Sequence, residues 1–218
     1  GILNTNVDGG AINVLDKVTN NALVNSDSID IFNVGTVSEL ENNSIITLNN
    51  LDNAGILTNN GIVSAKDINN YDGTINANEG SYIQANIKSG TFNSKGNNTV
   101  AGNIKSEITP ATLNLKNGTL NMLGDLQVTN TTADGGSLNL ADGVYRTSDF
   151  GNLSLNNNMN LLLDTNLATE SIDKISANSV SGTGKINMAL NIPSRIDTIL
   201  TNPNIKLNPI ADGSSADL

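Results

Sequence analysis

The sequence predicts an all-β chain folded as a parallel β-solenoid with coils of about 18–23 residues. Three observations predict it. A short Gly-led phrase recurs along the chain, apolar and polar residues alternate in brief runs, and Gly, Asn-Gly or Asp-Gly ends almost every run.

The phrase is Gly, a small or polar residue, an aliphatic or aromatic residue, then Asn. It occurs as Gly73-Thr74-Ile75-Asn76, Gly90-Thr91-Phe92-Asn93, Gly118-Thr119-Leu120-Asn121, Gly136-Ser137-Leu138-Asn139 and Gly184-Lys185-Ile186-Asn187. Looser versions are Gly61-Ile62-Val63-Ser64 and Gly80-Ser81-Tyr82-Ile83. With Gly35, Gly55, Gly73, Gly96, Gly118 and Gly136 as markers, the spacing has the length of a solenoid coil.

Within each unit the period is two. Leu113-Asn114-Leu115, Leu120-Asn121-Met122, Leu138-Asn139-Leu140, Leu153-Ser154-Leu155 and Ile186-Asn187-Met188 each place aliphatics on one strand face. Asn60-Gly61, Asp72-Gly73, Asn117-Gly118, Asp134-Gly135 and Asp142-Gly143 supply tight corners. The best helical window is Leu167–Ile175, and even there the apolar spacing is too short to sustain an amphipathic helix. One coil cannot bury its apolar face alone, so stacking must supply the core, in about nine or ten coils and a rod about 45 Å long.

Asn makes up 40 of the 218 residues, close to one in five. Two physical roles suit this excess. Asn tolerates left-handed backbone at corners, and stacked Asn amides hydrogen-bond along a solenoid axis. Clustered Ile, Leu and Val argue against disorder despite 3% aromatic content.

Composition removes whole function classes. With no His and no Cys, Ser-His-Asp and Cys-His nucleophile systems, disulfides and the usual zinc sites are excluded. A formal net charge of −10, with Arg only at 146 and 195, argues against nucleic acid. The longest aliphatic run, Leu161-Leu162-Leu163, is far too short to insert in a membrane. The chain opens inside a strand pattern and reads as a mature or excised fragment, with any export signal or anchor outside it.

A β-helical polysaccharide lyase or hydrolase needs acids converging on one face. Asp142, Asp149 and Asp164 fall in successive expected coils, with Arg146 near. The plainer reading puts Asp142 at a turn and the others on solvated corners. Asp134-Gly135-Gly136 and Asp142-Gly143 faintly resemble a calcium-binding β-roll without its repeat. Thr129, Thr131 and Thr132 do not form the regular array of an ice-binding face. The Asn-x-Ser/Thr triplets at Asn97, Asn117, Asn130 and Asn152 are expected from the abundance of Asn. No residue is assigned as catalytic, cofactor-binding or metal-ligating, and no cofactor is expected.

The stretch from Met159 to Ile175, with Leu163-Asp164-Thr165-Asn166-Leu167 and Asp173-Lys174-Ile175, followed by Gly182-Thr183-Gly184-Lys185-Ile186-Asn187, resembles the late passenger region of bacterial autotransporter adhesins of the AIDA and pertactin type. The resemblance covers about 30 residues; the preceding coils agree in style only. It implies a right-handed parallel β-helix exported through an outer-membrane barrel that these residues do not include. It also implies a surface or secreted location outside a Gram-negative cell, with the coils from Leu153 to Ile192 helping to start folding.

The expectation is therefore a non-enzymatic adhesin or structural passenger fragment. Residues 1–192 would form the β-helix, and 193–218, with Pro193, Pro203 and Pro209, a weaker terminal coil or loosely held tail. Its partners would be a glycan or protein on a host or neighbouring cell, or another copy of itself, with no nucleic acid and no membrane insertion. The alternatives are a glycan lyase or hydrolase and a phage tail-spike segment.

Overall fold

Stacked parallel strands form this molecule from end to end. The computed structural model describes residues 1–34, 36–107, 109–193, 205–216 and 218. No helix occurs among them, and the Leu167–Ile175 window is a turn followed by short strands. Asn166 Oδ1 accepts the amides of Ala168 and Thr169 there, which closes a tight reversal in place of a helical turn.

Two parallel sheets face each other across one core. The first runs through ten strands, from Ile2–Leu3 to Ser179–Gly182. At about 4.8 Å per strand such a stack is about 43 Å long. The second starts at Val7–Asp8 and Val24–Ile31 and continues through Ile45–Asn53, Ile62–Asn69 and Tyr82–Lys88 to Ile186–Asn191. Its register breaks between Ser64 and Asp67, so the strand bends there into two faces.

The predicted phrases pair with each other. Thr74, Ile75 and Asn76 lie beside Thr91, Phe92 and Asn93 in the first sheet. Thr119, Leu120 and Asn121 lie beside Ser137, Leu138 and Asn139, but in the second sheet. Alternation carries the apolar member inward. Leu57, Ile75, Phe92, Leu113 and Leu153 form one buried column, with Thr131 as the rung between the last two, and Ile29, Leu51, Ile68, Ile87, Ile104 and Leu126 form another.

Coil length is less uniform than expected. Asn20 and Asn42, Asn42 and Asn59, and Asn152 and Ser179 mark steps of 22, 17 and 27 residues. The extra residues leave at two corners. The segments 32–38 and 106–110 leave before a strand of the first sheet, and 140–146 and 167–173 leave at the bend of the second. The first is an antiparallel hairpin, Asn33–Val34 against Thr36–Val37; the marker Gly35 lies outside the described residues.

Asn takes one of its two expected roles. Among the described residues, only Ser89 and Glu170 combine a side chain with positive φ, so Asn does not serve as a left-handed corner. It holds corners through its side chain instead. Asn20, Asn42, Asn53 and Asn59 are wholly buried, and each accepts the amide two residues on. Their amides also link coils: Asn20 Nδ2 to Asn42 Oδ1 at 3.0 Å, Asn42 to Asn59 at 2.8 Å, and Asn53 to Asn70 at 2.6 Å. A second ladder, Asn4–Asn21–Asn43–Asn60–Asn78, runs near the surface.

Gly61 shows that the Asn-Gly corners also serve close approach. A Cβ there would stand 2.1 Å from the Ser44 carbonyl oxygen of the coil below.

The described part of the tail is docked. Ile175 donates to the Pro209 carbonyl at 2.8 Å, and Ala211 returns a bond to Ile175 at 2.9 Å. Proline lacks the donor but keeps the acceptor, and this ladder position uses only the acceptor. Leu207, Ile210 and Leu218 pack against the core. Residues 194–204 lie outside the described residues.

Candidate functional site

Two clusters of charge sit where insertions leave the coils. The first contains most of the acids picked out in the sequence. Arg146 Nη1 lies 2.6 Å from Asp142 Oδ2, and its Nε lies 3.4 Å from Asp125, which also meets Lys105 at 2.8 Å. Asp164 is 2% exposed; it accepts the Gly143 amide and, at 2.8 Å, the Asn191 side chain. Asp173 is equally buried and accepts the Arg146 and Asp164 amides at 2.9 and 2.8 Å.

These contacts make a clasp. Asp164 and Asp173 tie the roots of the 140–146 and 167–173 insertions by saturating backbone donors. Burial, with the nearby Asp164 and Asp142 charges, holds the Asp173 carboxyl above the ordinary Asp value despite its two amide partners. Asp149 belongs to the same coil as Asp142, not to the next, and caps the Gly151 amide. The three acids therefore do not converge on an open face.

Asp134 spends one oxygen on Asn156 in the following coil, at 2.6 Å. No group of three or more acids among the described residues is arranged to hold a metal. Thr131 points inward and donates to the Phe150 carbonyl, whereas Thr129 meets Ser106, so the threonines share no face.

The second cluster was not legible in the sequence. Asp30 and Asp52 are register partners on neighbouring coils, and both line a recess with Ile31, Phe32, Ala54 and Tyr71. Its volume is about 210 Å³. The 32–38 insertion carries Phe32 to one wall. Tyr71 lines another wall, and its carbonyl accepts the hydroxyl of Thr109 from the 106–110 insertion. Phe32 and Tyr71 are each 39% exposed. Asn69 donates to Asp52 at 2.7 Å. Desolvation, and then the Asp52 charge, raise the Asp30 carboxyl above its ordinary value.

Elsewhere the outer faces offer shallower features. Ile45, Ile62 and Tyr82 stack in register as an outward apolar column. A groove of about 430 Å³ runs between Ser137, Asn160 and Asn187 on one side and Asn139, Leu162 and Ala189 on the other. It contains no ionisable residue.

Two carboxylates that work on a glycosidic bond must flank it from opposite sides. Asp30 and Asp52 instead project side by side from adjacent rungs of one face. What the pair can do is accept hydrogen bonds and neutralise positive charge.

Comparison with known proteins finds no matching family model, no matching curated protein and no matching solved structure.

Proposed function

We propose that this chain is a non-enzymatic passenger segment of a surface-exposed adhesin, a stalk that holds corner loops away from a cell. The observation that carries the reading is the disposition of side chains along the stack. Apolar residues fill the interior in stacked columns beside a buried Asn ladder, while the outside carries laddered Asn, Ser and Thr interrupted by loops at two corners. Such a design extends by adding coils, each in contact only with its neighbours.

The resemblance of the 159–187 stretch to autotransporter passengers supports the export route and the outer-surface location. The Asp164 and Asp173 clasp falls within that stretch and gives it a stabilising role suited to coils that fold early. Contacts from so polar a surface are individually weak, and many copies on one cell supply the strength.

The test is a glycan and matrix-protein binding array on the purified chain, paired with an adhesion assay on cells displaying it. Binding to a surface component, with adhesion above that of undisplayed cells, is expected. Silence in both leaves a spacer. Release of reducing ends or unsaturated sugars from a polysaccharide panel would replace the reading with the lyase or hydrolase alternative.

A further inference from the structure

We propose that the recess lined by Asp30, Phe32, Asp52 and Tyr71 binds a primary ammonium group, the lysine side chain of a partner polypeptide. Asp30 and Asp52 would neutralise the charge, and Phe32 and Tyr71 would flank the methylene stem. The inference goes beyond the stalk reading and does not rest on it, because the stack is the same with the recess empty.

Charge is the first argument. Several acids of the outer faces meet a cation. Glu39 meets Lys17, Asp67 meets Lys88, Asp125 meets Lys105 and Arg146, and Asp142 meets Arg146. Among the described residues no ion pair reaches Asp30 or Asp52, and no Lys or Arg lines their recess. The nearest Lys in the same column is Lys88, separated from Asp52 by the rung of Asn69 and committed to Asp67 and Glu107. Two like charges one rung apart thus lack an internal counter-charge, in a protein of net charge −10.

The walls are the second argument. The chain has six Phe and Tyr residues; Phe92 and Phe150 are buried in the core, and two of the remaining four frame this one recess. Aromatic faces attract an ammonium through the ring quadrupole and cover its apolar stem. They offer nothing to a hard divalent cation, which needs six to eight oxygens. An anionic ligand is repelled, and a neutral sugar leaves the carboxylate repulsion in place.

Size is the third argument. About 210 Å³ is smaller than a drug-sized pocket but accommodates an aminobutyl group. Phe32 stands at the start of the 32–38 insertion, and the Tyr71 backbone is tied by its carbonyl to the Thr109 hydroxyl, so the opening exists before ligand arrives.

The experiment is an NMR titration of the full chain with Nα-acetyl-lysine methylamide, following the ring protons of Phe32 and Tyr71. Saturable shifts in roughly the millimolar range are expected, as for a single exposed charge contact, and they should weaken with added salt. The Nε-acetylated analogue, which is neutral, should give none. Asp30→Asn/Asp52→Asn should abolish the shifts while retaining the wild-type circular dichroism spectrum, and Tyr71→Ala should weaken binding several-fold. A lysine-containing peptide should bind more tightly than butylamine; equal affinity would overturn the polypeptide assignment. Equal response to the neutral analogue, absence of a saturable shift with the charged one, or preferential binding of calcium or a neutral glycan in the recess would overturn the site.

Discussion

Asn42 donates its side-chain amide to Asn59 Oδ1 at 2.8 Å, one coil along the axis, where neither side chain touches water. The same Asn42 accepts from Asn20 in the coil below and from the Ser44 amide at its own corner. One residue thus fixes a turn and two coil contacts.

Replacing it exposes that economy. Asn42→Ala leaves the buried Asn20 side-chain amide and the half-buried Ser44 N–H without their acceptor, and should cost about 3 kcal/mol in urea unfolding. Asn43→Ala removes a rung of the surface ladder, where water can substitute, and should stay within about 0.5 kcal/mol. Equal losses would remove the distinction between the two ladders.

Two glycines should separate close approach from backbone freedom. Gly61→Ala drives a Cβ against the Ser44 carbonyl and should cost about 3 kcal/mol, the upper end of overpacking. Gly80 has φ of +78° and open space around it, so Gly80→Ala should lose only about 1–2 kcal/mol from the left-handed backbone. Denaturant midpoints at unchanged slope would establish the order.

Buried Asp173 makes a prediction about pH. Burial raises its folded-state pKa, so in mild acid the native state holds a proton that the unfolded chain has released. This contribution is complete below the ordinary Asp value. It is lost as pH rises through the raised folded value, above which it is flat. Asp30 acts in the same direction. Urea midpoints measured across the acid range should fall with rising pH in that window, and Asp30→Asn should reduce the slope.

At neutral pH, Asp30→Asn should raise the melting temperature by removing a like charge from Asp52. The gain should shrink at high salt, where screening already weakens the repulsion. A decrease at low salt would mean that the ionised Asp30 makes a stabilising contact.

Much of the coil was legible in the sequence because its physics is local. Period two places Leu113 and Leu115 inside and Asn114 outside without reference to any partner. The sheet to which a phrase belongs was not legible, since Gly73-Thr74-Ile75-Asn76 and Gly118-Thr119-Leu120-Asn121 read alike and lie on different faces. Nor was the pairing of Asp30 with Asp52, which depends on the hairpin lengthening that coil. Asp142, Asp149 and Asp164 drew attention as acids near an arginine; all three proved to be fastened to backbone amides, a role that single residue types do not announce.

Because the ladder bonds of each coil run to the coil before and after it, with the Thr109–Tyr71 bond reaching one coil further, tension applied to the two termini would not shear the whole core at once. It would peel the outermost turn, and a turn of 17 residues would release about 60 Å of slack before the next one yields. A tether made this way lengthens in increments under flow while the rest of its length remains folded.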